Sequence, residues 1–494
     1  MAADNPARTD ASRPGMDHTR CAALHNYLVS YAWIAEGRPL TSLHGKSNTF
    51  FTLYGADAEA LRPRLDPSPS AFLDIAMLPP VDAAFGSAPF FFWASQVNAQ
   101  DHLFDNQTAD LLDEPEDSLL CLYDTNVGQG GESGGGLFYH QGYNRAAVFM
   151  HMDDYDYSFP VKARLQLWHP LETVLSNWID LVHLGKITAS PSDAQALFGS
   201  EKIGPWEWHP YSDTQVSSCV RAWNCLCDAI EARRRSKISP STTTTANSSS
   251  TIKREPLVQP ALLDAASVPE NCFARSFLTR ARRPNTFRYI APGLLLPPTD
   301  TAEFVAAQPF TKLLRASDAI IPPVCLFTTV RSSPQAELMR SPFSTDGFYT
   351  GPLSGNENPP TFQFPSSAPA GVYTEAVDRQ SYDVAEEGFR LLLPYTLDGG
   401  GWESDATDIP TGARKSDGSF VKRGTSAELF QHRYKPFGGD YYRPQRLERL
   451  LERWCEMVVK GVWEVGEREV EGTIEKFKEA DGVAWSLYVI RPSW

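Results

Sequence analysis

Polar side chains recur every three or four residues through HPLETVLSNWIDLVHLGK, residues 169–186: His169, Glu172, Ser176, Asp180 and His183. At helical periodicity they form one stripe opposite Leu171, Val174, Leu175, Trp178 and Val182. Two imidazoles, two carboxylates and a hydroxyl on one rigid face are the parts of general acid–base catalysis, if the stripe lines a cleft. If it faces water instead, it is the polar side of an ordinary amphipathic helix. No HExxH pair is present, so the spacing does not indicate zinc.

Three further constellations carry chemistry. In HMDDYDY, residues 151–157, an apolar run passes straight into Asp153, Asp154 and Asp156. Crowded carboxylates suit a divalent cation, a guanidinium or an ammonium. In open α/β sheets, ligands gather at such strand ends; a solvated acidic loop is the plain alternative. Residues 128–136, GQGGESGGG, contain Gly131-x-Ser133-x-Gly135, the spelling of a nucleophile elbow that would expose the Ser133 hydroxyl. An elbow needs strand, turn and helix in succession, and the LFYHQGYN that follows is not helix-like. No Gly-Lys-Ser/Thr follows for a phosphate loop. Finally, PWEWHPY at 205–211 sets Glu207 and His209 among aromatics, which makes either an apolar pocket with polar handles or a packed corner.

These residues need a scaffold, and the pattern supplies one. Helices are expected at 21–36 (through Leu24, Leu28, Tyr31 and Ala35), 171–184, 214–235 and 444–479; strands at 118–123, 146–152, 287–290, 324–330, 390–393 and 484–490. Proline opens the 171–184 segment and Gly185 closes it. Interleaved helices and strands favour a mixed α/β fold with long irregular loops, built as one large fused unit. Residues 1–18 read as a disordered tail, and the Ser/Thr-rich run in 236–256 as a disordered insertion between an α/β half at 19–235 and a second at 257–494. Residues 332–371, rich in proline and aromatics, read as a covering loop, and 397–424 as mobile.

The 494 residues are 42% hydrophobic and 21% charged, with a formal charge of −15, which disfavours a general polyanion binder. The charge is uneven. No Lys or Arg occurs from 65 to 144, where there are twelve acids. From 233 to 288 eleven basic residues face three acids, a balance of +8. No signal-peptide core or membrane-length apolar run is visible, and the eight cysteines are irregularly spaced. A cytoplasmic protein with reduced thiols, no metal and no cofactor is expected, with the Cys219, Cys225 and Cys227 group lying on a helix.

The HPLETVLSNWIDLVHLGKI block, the acidic strand end HMDDYDYSFP and the Ser/Thr-rich break resemble fungal proteins, and among those of known activity the chain is most similar to the arginine-containing cyclodipeptide synthases, over residues 20–240 and the C-terminal end. The resemblance implies an ATP-independent aminoacyl transferase of secondary metabolism. It would take an arginyl group from arginyl-tRNA, join it to a second aminoacyl group from another charged tRNA, and close the diketopiperazine. Asp153, Asp154, Asp156 or the Glu172/Asp180 face could hold the guanidinium. His169, His183 or His209 could serve as base, and Ser133 or Ser176 as acyl-holding hydroxyl. Arg233, Arg234, Arg235, Lys237, Lys253, Arg254, Arg280, Arg282 and Arg283 could meet the tRNA. Two other classes fit the same sequence: a serine hydrolase built on Ser133, and a non-enzymatic interaction protein using 332–371.

Overall fold

The computed structural model describes residues 15–45, 48–79, 89–125, 135–150, 160–196, 202–237, 255–313, 315, 317–338, 342–343, 365–380, 384–399, 412–432, 437–438 and 444–492. They form a mixed α/β protein that divides into two compact units. The first runs to Pro210 and takes in Phe437 and Gly438; the second holds the remaining described residues from Tyr211 onward.

In the first unit, α1 (His18–Ala35) starts where the Asp17 carboxylate accepts the Arg20 amide at 3.1 Å. It buries Cys21, Ala22, His25, Leu28, Val29 and Trp33. The inward face is thus turned away from the expected Leu24, Tyr31 and Ala35 and contains an imidazole. Next come α2 (Leu40–His44), α3 (Phe50–Glu59) and α4 (Pro67–Ile75), then β1 (Ala94–Val97), α5 (Asn106–Leu111), β2 (Leu119–Thr125), β3 (Gly136–His140) and β4 (Arg145–Phe149). The four strands form an antiparallel meander in chain order. Gly136 is required at the β2–β3 approach, since a Cβ there would lie 2.5 Å from the Tyr123 carbonyl oxygen. After α6 (Leu171–His183), β5 (Ile187–Ala189), β6 (Lys202–Ile203) and β7 (Trp206–Trp208) make a second antiparallel sheet with β7 in the centre.

An aromatic layer closes this core. The ring of Phe91 stacks on Trp178 at 4.8 Å, and Trp93 lies 5.5 Å from Trp208. Each large side chain buried here contributes on the order of 1.5–3 kcal/mol relative to exposure.

The second unit opens with α7 (Asp213–Lys237) and continues through α8 (Pro260–Ala265), α9 (Phe273–Arg280), β8 (Tyr289–Ala291), β9 (Leu294–Leu295), α10 (Thr301–Ala306), β10 (Ile320–Ile321), β11 (Cys325–Thr328), β12 (Ala336–Glu337), β13 (Ser367–Ala368), β14 (Gly371–Thr374), β15 (Val377–Asp378), β16 (Phe389–Leu392) and α11 (Leu447–Val459). Its main sheet has the order β16-β14-β11-β9-β8. Two buried carboxylates of this unit are paired with partly exposed guanidiniums: Glu375 with Arg390 at 2.8 Å and Glu386 with Arg379 at 2.5 Å.

Several expectations change. The helical pattern at 444–479 ends at Val459, because Gly461 takes φ +72° and stops the helix, leaving a separate 3₁₀ turn at Ile474–Asp481. The expected closing strand at 484–490 is a 3₁₀ turn, Trp485–Tyr488, with no sheet partner. Within 332–371, β12 and β13 pair with one another; the tail to residue 14 and the Ser/Thr run at 238–254 lie outside the described residues. Every strand pairing among the described residues is antiparallel, so the rule that places ligands at the strand ends of parallel sheets does not apply. No helix among them is long and apolar enough to cross a membrane.

Candidate functional site

Helix α6 is set by its ends. Pro170 at the N-cap leaves no amide to satisfy, and Gly185, at φ +64°, lets the Gly185 and Lys186 amides return to the carbonyls of Val182 and Leu181 at 2.9 Å each. The polar stripe expected along it is divided among three environments. Glu172 and His183 both turn to α1: the Cys21 thiol donates to the Glu172 carboxylate at 3.6 Å, and His183 Nε2 meets the Tyr27 hydroxyl at 2.9 Å. Ser176, on the same stripe between them, is buried, and its Oγ has no hydrogen-bond partner among the described residues. Asp180 is exposed. The stripe is therefore in large part a seam between two helices, not a row of groups around one ligand.

His169 stands apart from the stripe. It lies before the helix, and its backbone pairs with Ala146 through bonds of 2.6 and 2.8 Å. Its ring rests 4.9 Å from that of Phe437. Burial first, and then the nearby Arg145 guanidinium, lower its pKa to about 4, so the imidazole is neutral at physiological pH. Its Nε2 is buried without a hydrogen-bond partner among the described residues. Phe437 is held in turn by Trp178, whose indole N–H donates to its carbonyl at 2.7 Å. Gly438, at φ +107°, passes so close to Trp93 that a Cβ would sit 3.0 Å from the ring.

The corner at 205–211 brings two sequence-chosen residues, Glu207 and His209, together and adds Lys186 and Thr188. Thr188 pairs with Glu207 across β5 and β7, and the His209 amide bonds the Lys186 carbonyl at 2.8 Å, so Lys186, Thr188, Glu207 and His209 share one face of the sheet. Lys186, Glu207 and His209 are all buried. The Lys186 ammonium donates to the Pro210 carbonyl at 2.7 Å and lies 4.9 Å from the Trp208 ring centre. His209 Nε2 meets the Thr188 hydroxyl at 2.6 Å. Burial lowers the His209 pKa; Glu207 opposes that shift and Lys186 adds to it. Lys186 closes the α6 stop signal, which is why a helix reading assigns it to the cap instead of to a site.

Sequence reasoning also missed a buried network behind α6. The His25 ring has both nitrogens engaged, Nε2 with the Met77 carbonyl at 2.9 Å and Nδ1 with the Tyr123 hydroxyl at 2.8 Å. A carbonyl can only accept, so Nε2 carries the proton and Tyr123 donates to Nδ1. Burial lowers the His25 pKa to about 4 and pushes the Tyr123 and Cys21 hydrogens' acidity down, raising both of their pKa values. The signal for it was Cys21 and His25, four apart, on an otherwise apolar helical face.

Ser133, Asp153, Asp154, Asp156, Lys253 and Arg254 lie outside the described residues. The Gly-x-Ser-x-Gly run nonetheless connects β2 to β3, two antiparallel strands, and is followed by a strand where an elbow has a helix. Most basic candidates bond within the chain. Arg233 donates to the Val459 carbonyl and Arg234 to that of Glu467. Arg280 pairs with Asp213 at 2.5 Å, and Arg282 with Asp228 at 2.5 Å. Arg283 donates to the carbonyls of Leu257 and Pro297. Arg235, beside Glu231, and Lys237 reach into solvent. Among the described residues no three of His, Cys, Asp and Glu gather closely enough to hold a metal ion. No protein-family model, curated protein or solved structure matches the chain.

Proposed function

We propose that the chain is an aminoacyl transferase of the arginine-containing cyclodipeptide synthase kind, moving an arginyl group from tRNA onto a second aminoacyl group. His169 carries the reading: a half-buried residue whose neutral imidazole has its Nε2 buried and without a hydrogen-bond partner among the described residues. Amide formation between two aminoacyl esters needs an uncharged α-amine next to the ester carbonyl. An imidazole that stays neutral can accept a hydrogen bond from that amine, orient it, and take its proton as the amide forms. The acidic sequence that follows β4, with Asp153, Asp154 and Asp156, has the charge that would suit an arginyl guanidinium.

The test is expression of the full chain alone in a heterologous host, with mass spectrometry of the extract. An arginine-containing diketopiperazine is expected, and His169→Ala should lower its yield by about 10²–10⁴-fold, the usual contribution of a general base. A folded protein that gives no such product, or a His169→Ala variant that makes it at the original yield, overturns this reading.

A further inference from the structure

All eight cysteines fall within the described residues, and the structure sorts them sharply. Cys21, Cys121, Cys219, Cys227, Cys272 and Cys325 are buried; Cys225 is exposed and Cys455 half-buried. Burial raises the pKa of the buried thiols, to about 12 for Cys272 and Cys325, which leaves almost no thiolate to react. The two thiols that solvent reaches lie on α7 and α11, which pack against each other in the second unit.

The register of that helix pair follows from its bonds. Near one end the Ser218 hydroxyl donates to the Glu448 carboxylate, and near the other the Arg233 guanidinium donates to the Val459 carbonyl, so the helices run parallel and stay together between these points. Seven residues make almost two turns and return to within about 20° of the same face. Cys225 lies seven residues beyond Ser218, and Cys455 seven beyond Glu448. Equal steps from a bonded pair, along parallel helices, bring both cysteines to the rim of the helix pair at about the same height. After burial, Cys225 is the largest influence on the titration of Cys455, as close neighbours require.

We propose that Cys225 and Cys455 are a redox-reactive dithiol, closed by a small-molecule disulfide into a bond that clamps α7 to α11. The exposed Cys225 thiolate attacks the oxidant's disulfide, forming a mixed disulfide and expelling one thiolate. Cys455 then gives up its proton to solvent and attacks the Cys225 sulfur, expelling the second thiol. Two protein thiols become one disulfide, and the oxidant's disulfide becomes two thiols. Reduction by a dithiol reverses it.

The full-length protein is treated with oxidised glutathione, quenched with acid and digested without reductant. The expected result is a protein mass lower by two hydrogens, a peptide containing Cys225 linked to one containing Cys455, and restoration of both thiols by dithiothreitol. In Cys455→Ser the exposed Cys225 should instead keep a glutathione adduct, and in Cys225→Ser neither the linked peptide nor the loss of two hydrogens should appear. Stable glutathione adducts on the unsubstituted protein with no linked peptide, or no loss of thiols at all, overturn the proposal. Circular dichroism of both serine variants guards against misfolding as the cause.

Discussion

The indole N–H of Trp178 donates to the carbonyl oxygen of Phe437 at 2.7 Å, across 259 residues of chain. A short return from the C-terminal half thereby completes the aromatic core of the first unit and rests on His169. Trp178→Phe removes the donor and leaves a buried carbonyl unsatisfied, which costs about 1–3 kcal/mol. Chemical denaturation of the full chain should show that loss. A larger effect is expected from ending the chain at Pro210, which uncovers Trp93 and Trp178; tryptophan fluorescence should shift to the red.

His25 makes stability depend on pH. Its imidazole is neutral when folded, with a pKa lowered to about 4 by burial, against 6.5 when unfolded. Between these values the unfolded chain binds the extra proton. Its contribution is therefore fully present above pH 6.5, declines as pH falls from 6.5 to about 4, and is constant below. The difference is worth about 3 kcal/mol as an upper figure. In His25→Gln the slope of unfolding free energy against pH across that window should flatten, whatever the variant's absolute stability.

These groups differ in how far the sequence announced them. α6 was legible because Pro170, the apolar repeat and Gly185 are local signals that agree with the fold. The strands at 118–123 and 146–152 were legible as short apolar runs, matching β2 and β4. What periodicity does not carry is the identity of the partner. It marks Glu172 and His183 as one polar face, but only the placement of α1 shows Cys21 and Tyr27 opposite them. The inward His25 was hidden for a similar reason: an imidazole counts as polar until a carbonyl and a phenol satisfy both nitrogens. Phe437 had no local signal, because its role lies in a contact remote in the chain.

The buried corner around His209 makes two opposite shifts. Glu207 raises the pKa of His209 and Lys186 lowers it, within a larger lowering by burial. Glu207→Gln should therefore lower the His209 pKa further, and Lys186→Met should raise it, as read from the pH dependence of the imidazole proton resonances. Equal titration in both variants would mean that neither charge acts on this ring.

On the proposed reading, binding of tRNA should depend on fewer basic residues than the +8 segment contains. Arg280 and Arg282 already face Asp213 and Asp228, and the half-buried guanidinium of Arg283 is committed to two carbonyls, its pKa lowered chiefly by burial. A phosphate would have to displace those partners, so Arg280→Ala and Arg282→Ala should change tRNA affinity little. Arg235, whose side chain is 77% exposed, and Lys237 extend from the end of α7 and can meet phosphate without breaking more than the surface pair to Glu231, itself worth at most about 1 kcal/mol. Each phosphate contact adds roughly 0.7–0.9 to the slope of log affinity against log salt. The double variant Arg235→Ala/Lys237→Ala should accordingly weaken tRNA retention at low salt and reduce that slope by about 1.4–1.8, measured by filter binding over a salt series. The same slope in the double variant and the unsubstituted protein would remove the end of α7 from the tRNA path.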